Sequence, residues 1–318
     1  MKAIVINEFG GPDVMQVEEI EKPVPAADEV LVKVSAAGIN YADIAVRKDA
    51  YLSRTKLPYV LGIEAAGVVE ANGSDVKGFK IGQRVLAFMT SGGGYAEYAA
   101  ANAGQVFPIP DGIDFGEATA LLVQGMTALG LLKDAKAGQS ILVHAAAGGV
   151  GTLLVQLAKQ RGLTVIGTAS STEKLEKVLS IGADHAVNYS EDDWTQQVLD
   201  ATGGKGVDII IEMVGGEIVG KNLQVLGVNG TMWIYGSASG EGYDLPVLGL
   251  MQKNHIVRGY WLALETAANR AAYAAELAEK IAGKQLQVFV TEFPLAKAAD
   301  AHRAIEGRKT TGKIVLTV

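Results

Sequence analysis

The chain has 318 residues, about two domains of ordinary size and more than one small core can hold. Its 28 Lys and Arg against 35 Asp and Glu give a net charge of −7, 49% of residues are hydrophobic, and 39 glycines stand beside 8 prolines, which excludes disorder and a collagen-like fibre. There is no basic cluster, so nucleic acid is not an expected partner. The absence of cysteine removes disulfides, thiolate nucleophiles and sulfur-based zinc sites and fits a reducing compartment.

The opening MKAIVINEFGGPD turns polar at Asn7. The longest apolar stretch, Ala118 to Leu132, is broken by Gln124 and too short to span a bilayer. No membrane is expected as a partner, and the setting is read as cytoplasmic.

In chain order, AIVINEF, VLVKVSAAGI, AAGVVEANG, RVLAFM and YAEYAA are short, alternating, glycine-punctuated strands that predict a compact antiparallel or barrel-like domain. SGGGYAEY, Ser91 to Tyr98, resembles a phosphate loop but leads into a strand pattern, so its glycines are read as a tight turn. From Ser140 to Tyr260 the pattern changes to six apolar runs: Ile141–Ala145, Thr164–Thr168, Ala186–Tyr189, Val207–Met213, Thr231–Tyr235 and Ile256–Tyr260. Runs such as VDIIIEMV mark strands buried on both faces, and TLLVQLAKQRG and TEKLEKVLSIG carry helical spacing between them. The prediction is an α/β fold with a doubly wound parallel sheet. Beyond it come a helix (Thr266–Gly283), a strand (Gln287–Phe293), a helix (Leu295–Gly307) and a last strand, KIVLTV, expected to rejoin the first domain. The expected division is 1–122, 123–262, and 263–318 returning to the first.

SILVHAAAGGVGTLLVQLAKQRG reads as strand, small-residue turn and amphipathic helix. Gly148 and Gly151 take the last two positions of GxGxxG, and Ala146 takes the first. Gly148 and Gly149 let the backbone approach a pyrophosphate, the N–H groups from Val150 onward face it, and Gly151 permits close approach of helix to strand. At the end of the second strand an NAD site would place a carboxylate on the ribose diol; here the chain offers Ser170, Ser171 and Lys174, which suit a 2′-phosphate and favour NADPH. Ser170 with Glu173 also reads as a capping box, compatible with that role.

These residues, with GINYAD near Gly38, GIEAAGVV near Gly62, GGYAEY near Gly93 and the closing TTGKIVL, resemble the medium-chain dehydrogenase/reductase superfamily over essentially the whole chain. Within it the chain is similar to the zinc-free quinone oxidoreductase branch, the relatives of zeta-crystallin. Zinc members carry a Cys before an Asp and a His before a Glu, where this chain has Asn40 and Ile63, so no metal site is expected. The resemblance implies a GroES-like catalytic domain at 1–122, a Rossmann NADP-binding domain at 123–262, a cofactor in the cleft between them, and a homodimer through the Rossmann sheet edge.

It also implies residue roles. Asn40 would lie beside the nicotinamide ribose, Thr127 near the nicotinamide or pyrophosphate, and Gly148, Gly149 and Val150 on the pyrophosphate. Lys174 and Tyr189 would frame the adenosine 2′-phosphate. Val214, Tyr235, Gly236, Ser237, Tyr260, Trp261 and Leu262, at strand ends where open sheets place ligands, and Lys313 of TTGKIVL complete the expected cofactor set. Glu212, where relatives commonly have an aspartate, receives no functional reading.

Without a metal to polarise a carbonyl, the acceptor must take hydride readily, as a quinone or an activated alkene does. Tyr51 follows Asn40 at the spacing of the catalytic tyrosine of enoyl thioester reductases and is the first candidate proton donor; Tyr41 is the second. Both could equally be wall residues. VRGYWL at Val257 to Leu262 resembles the VRGFWL of some enoyl reductases, so 2-enoyl reduction stands as the alternative to quinone reduction, with NADPH binding without turnover behind both. His144, His185, His255 and His302 share no spacing and are read as structural.

Overall fold

The computed structural model describes residues 1–318. The chain divides into two compact units, residues 1–126 with 265–318, and residues 127–264. No helix is long and apolar enough to cross a membrane.

In residues 127–264 six strands form one parallel sheet: Ser140–Val143, Thr164–Ala169, His185–Asn188, Val207–Glu212, Leu226–Ile234 and Ile256–Gly259. Their spatial order is third, second, first, fourth, fifth, sixth, so the first strand lies between the second and the fourth. This is the doubly wound arrangement expected, and its reversal point between the first and fourth strands opens a crevice at their carboxyl ends. The helix Gly149–Gln160 is buried from Gly151 through Ala158, whereas Thr172–Ser180 buries only Val178.

Strand ends differ from the sequence reading by one or two residues, except in the fifth strand, which begins at Leu226 rather than Thr231. In the Gly-Val-Asn-Gly run that precedes Thr231, Asn229 takes a left-handed φ of 60° and the extra residues are absorbed as a bulge opposite Val207 to Ile209.

Residues 1–126 and 265–318 form a seven-stranded sheet and a three-stranded one. The eleven-residue strand Glu29–Ile39 organises the larger. Against the strand Glu64–Asn72 its register shifts twice, with Glu70 the extra residue on the partner and Ser35 the extra residue on this strand; its first half also pairs with Tyr98–Asn102 and its last residues with Lys313–Thr317. Strands Met15–Glu19, Tyr59–Val60 and Val106–Pro108, not read in the sequence, fill sheet edges. Gly92 and Gly93 take φ of 79° and 104° in a turn that leads to Tyr98–Asn102, as read. The tail strand is Val290–Pro294 and its final helix Ala298–Glu306, preceded by a 3-10 turn.

Candidate functional site

The phosphate-type loop leaves the first strand at Val143 and enters the helix Gly149–Gln160 through Gly148. Ala145 holds a left-handed φ of 49°, an arrangement that costs a residue with a Cβ on the order of 1 kcal/mol. Its carbonyl accepts the Gly148 N–H at 2.8 Å and closes the turn. A Cβ on Gly151 would strike the Ala145 carbonyl and come within 2.7 Å of the Ala146 Cα, so only glycine lets the helix sit this close to the strand. A Cβ on Gly148 would meet only its own loop, at 3.1 Å, which leaves this backbone open to a ligand on its outer side. The bare N–H groups of the first helical turn and the open glycine edge fit a pyrophosphate.

At the end of the second strand, the Tyr189 N–H donates to the Ala169 carbonyl at 3.2 Å, which brings Tyr189 beside Ser170 and Ser171. The helix cap is Ser171, not Ser170: its hydroxyl accepts the Lys174 N–H at 3.4 Å. The competing local signal was Ser170 with Glu173, but the chain leaves the strand one residue later. No carboxylate occupies residues 169 to 172.

Glu212 organises the next loop. Fully buried, it accepts from Val214 N at 2.5 Å, Gly215 N at 2.8 Å and Asn222 Nδ2 at 2.6 Å. Asn222 donates to Glu212, so its Oδ1 faces His144 Nε2, 2.7 Å away; that nitrogen therefore donates, and Nδ1 is hydrogen-bonded to Thr168 Oγ1 at 3.0 Å. Both ring nitrogens of His144 are thus taken up by buried side chains, a structural role, and the His302 pKa is pushed down to about 3 by burial and by Arg47. The loop after the fifth strand zips onto the Glu212 loop: Ala238 N donates to Met213 O and Ser239 N to Val214 O, both at 2.8 Å. Val214, Tyr235, Gly236 and Ser237 are brought together in this way. Tyr260 instead lies against Gly130 and edge-on to Trp233, and Leu262 is buried. Thr127 is buried in the helix Met126–Leu131.

In the other unit, Asn40 stands at the end of Glu29–Ile39 in a closed polar cluster. Lys313, 1% exposed, binds Glu64 Oε1 and donates to Asn40 Oδ1 at 3.1 Å and to the Ile39 carbonyl at 3.3 Å. Asn40 Nδ2 donates to Glu64 Oε1 at 2.9 Å, and Val123 N donates to Glu64 Oε2 at 3.0 Å from a π-helical turn, Leu121–Gly125. Lysine only donates and a carboxylate only accepts, so the Asn40 amide has one possible orientation, with one Nδ2 proton left over. Gly38 makes room for the cluster, because a Cβ there would collide with Glu64 and lie 2.7 Å from Lys313 Nζ. The Asn40 N–H is capped by Asp43 Oδ2 at 2.8 Å; burial pushes this carboxyl up to about 7, and its Oδ1 has no hydrogen-bond partner. Sequence reasoning had no signal for Glu64 and Asp43 as supports of Asn40.

Tyr41 and Tyr51 are half-buried, and Tyr51 packs against the core of its unit. No group of three or more His, Asp or Glu is placed to hold a metal, and the oxygens of Asn40 and Glu64 that could serve as donors are taken by the ammonium of Lys313. The residues present do not fit zinc.

Residues 26–111 match the family described as alcohol dehydrogenase GroES-like domain, and residues 149–280 the family described as zinc-binding dehydrogenase. The chain is 37% identical over 322 residues to the quinone oxidoreductase of Homo sapiens, covering 99% of this chain and 97% of that one. It is 35% identical over 326 residues to the 2-haloacrylate reductase of a Burkholderia species, covering 99% and 98%. The structure of Escherichia coli quinone oxidoreductase complexed with NADPH matches with a TM-score of 0.95 at 33% identity over all of both chains. In sequence and in fold, the chain belongs to the medium-chain dehydrogenase/reductase superfamily, among the quinone oxidoreductases.

Proposed function

We propose that the protein is a zinc-independent oxidoreductase that reduces a quinone with NADPH in the cytoplasm. The observation that carries the reading is the second strand end, where Ser170, Ser171 and Lys174 stand, residues 169 to 172 carry no carboxylate, and the glycine loop of the first strand is open to a pyrophosphate. The bound nicotinamide supplies the hydride. The balance is one quinone, one NADPH and one proton in, one hydroquinone and one NADP⁺ out.

The chain's own residues bind, orient and supply the proton. Gly148, Gly149 and Val150 hold the pyrophosphate on helix N–H groups, and Lys174 with Tyr189 holds the 2′-phosphate. Glu212 fixes the loop that carries Val214, and the zipped loop presents Tyr235, Gly236 and Ser237 to the cofactor. Thr127, Tyr260, Trp261 and Leu262 border the same ligand. Asn40 directs its remaining Nδ2 proton to the ribose. Lys313, whose three protons are directed at three protein oxygens, serves by positioning Asn40 rather than by touching a phosphate. Tyr51 is the proton donor, with Tyr41 second.

The alternative reading is reduction of an activated alkene, supported by the Burkholderia relative named for 2-haloacrylate. Following NADPH and NADH consumption in EDTA with benzoquinone, phenanthrenequinone and crotonyl-CoA decides among these. Rapid, NADPH-specific quinone turnover is expected. Preference for the enoyl thioester would replace the quinone reading, and inhibition by EDTA would overturn zinc independence.

The protein also works as a homodimer in this reading. The strand Ile256–Gly259 ends the parallel sheet with one edge unpaired, and Val247, Leu248 and Met251 expose apolar side chains on the helix before it. Sedimentation is expected to give twice the chain mass, falling to one chain mass in Leu248→Glu/Met251→Glu. A single-chain mass for the unmodified protein at micromolar concentration would remove the dimer.

A further inference from the structure

The segment after the helix Tyr41–Arg47 builds a recess within the first unit that the cofactor set does not use. Phe9, Asp49, Tyr51, Arg54 and Thr55 line a depression of about 360 Å³ open to solvent. Asp49 turns the chain into it through a left-handed φ of 54°, a conformation that aspartate tolerates better than most residues. Phe9 provides an aromatic wall, Tyr51 and Thr55 provide hydroxyls, and Arg54 provides a guanidinium. Arg54 has no hydrogen bond or ion pair within the protein. A planar guanidinium beside two hydroxyls is a donor set for a carboxylate or sulfonate, which it meets with two parallel hydrogen bonds.

The charge around the recess points the same way. In a chain of net charge −7, residues 47 to 56 carry Arg47, Lys48, Arg54 and Lys56 against Asp49 alone. Arg47 and Lys48 share a single carboxylate, Glu306, at 2.9 and 2.5 Å, which leaves that trio cationic. At the other end of the helix Tyr41–Arg47, burial raises the Tyr41 phenol and Glu306 adds to the rise, while Lys48, Arg308 and Arg47 act against it. Concave surfaces concentrate the field of cationic groups and draw in anions.

We propose that this recess is a subsite for an anionic substituent of the hydride acceptor, with Arg54 as its specificity-determining residue. The acceptor class is a quinone or activated alkene bearing a carboxylate or sulfonate. Tyr51, the proposed proton donor, lines the same recess, which places the charged substituent beside the reacting end of the acceptor. The inference rests on the hydride-transfer reading above, and the test separates the two.

The experiment compares naphthoquinone with naphthoquinone sulfonate, using NADPH and the whole protein, in the unmodified chain and in Arg54→Gln and Arg54→Lys. The readout is the ratio of kcat/KM for the sulfonate to kcat/KM for the neutral quinone. That ratio is expected to fall at least ten-fold in Arg54→Gln through a rise in KM, and to recover in part in Arg54→Lys. In the unmodified protein it is expected to fall as salt is raised, because an exposed charge pair is screened. A ratio that Arg54→Gln leaves unchanged, or that salt does not move, overturns the subsite. If the unmodified protein turns over neither quinone, hydride transfer to quinones fails instead. Calorimetric titration of the NADP⁺-loaded protein with the sulfonate then decides the subsite alone: weaker binding in Arg54→Gln supports it, and equal binding overturns it.

Discussion

Replacing Lys174 by alanine is expected to raise KM for NADPH by roughly ten-fold or more and to leave KM for NADH nearly where it was. A hydrogen bond between ions contributes about 1.5–3 kcal/mol, a factor of roughly 10 to 100. Lys174 is half-buried, at the third position of the helix Thr172–Ser180, so solvent screening takes the effect toward the lower end. Ser171 already spends its hydroxyl as an acceptor on the Lys174 N–H, but it keeps its own proton for a phosphate oxygen. Steady-state kinetics with both nucleotides at a fixed quinone concentration checks the expectation. The informative quantity is the preference ratio, because a damaged helix would weaken both nucleotides alike. Equal losses for NADPH and NADH would remove Lys174 from the 2′-phosphate site. Lys174→Arg is expected to keep most of the preference, since the charge and the reach survive.

Much of this half of the site is legible in the sequence for a physical reason. A parallel sheet covered on both faces needs continuous apolar runs, so Val207–Glu212 buries every residue but Asp208 and announces itself. The phosphate loop is local: its strand, turn and helix follow one another within about twenty residues, and steric limits at Gly151 leave a trace in composition. What fails is what depends on partners distant in sequence. Ser171 rather than Ser170 caps the helix because the second strand runs through Ala169, one residue past its apolar signal. Glu212 earned no role from a comparison of side-chain types, although its three hydrogen bonds shape the loop at the switch point. Strands Met15–Glu19 and Tyr59–Val60 sit at sheet edges, half exposed, where alternation is weak. The Asn40 cluster is the extreme case. Lys313 and Asn40 lie 273 residues apart and meet only because their strands pair antiparallel, Ile314 opposite Ile39.

That cluster carries the largest expected effect on stability. Lys313→Met keeps the length and apolar stem of the side chain but leaves Glu64 fully buried, with only the Asn40 amide and the Val123 N–H to face its charge. Breaking a buried ion pair from one side costs about 3–5 kcal/mol, because the partner's charge stays behind in a poorly polarisable interior. Water cannot relieve it cheaply: Gly38 offers space only as wide as a missing Cβ, and Glu64 and Lys313 already fill it. Denaturant unfolding should show the loss in the transition of residues 1–126 with 265–318, the unit that holds the cluster. Adding Glu64→Gln is expected to recover at least half, since the uncompensated charge goes while the carboxamide still accepts from Val123. Lys22→Met, which breaks the exposed pair with Glu70, is the control and is expected to change little. The amide of Asn40 loses its lysine donor in the single variant, so KM for NADPH should rise along with the loss of stability. In the double variant stability should return further than NADPH affinity, because glutamine restores neutrality but cannot restore the ammonium that fixes the amide's orientation. If Lys313→Met is no less stable than Lys22→Met, the cluster is not the internal clamp that its burial and hydrogen bonds describe.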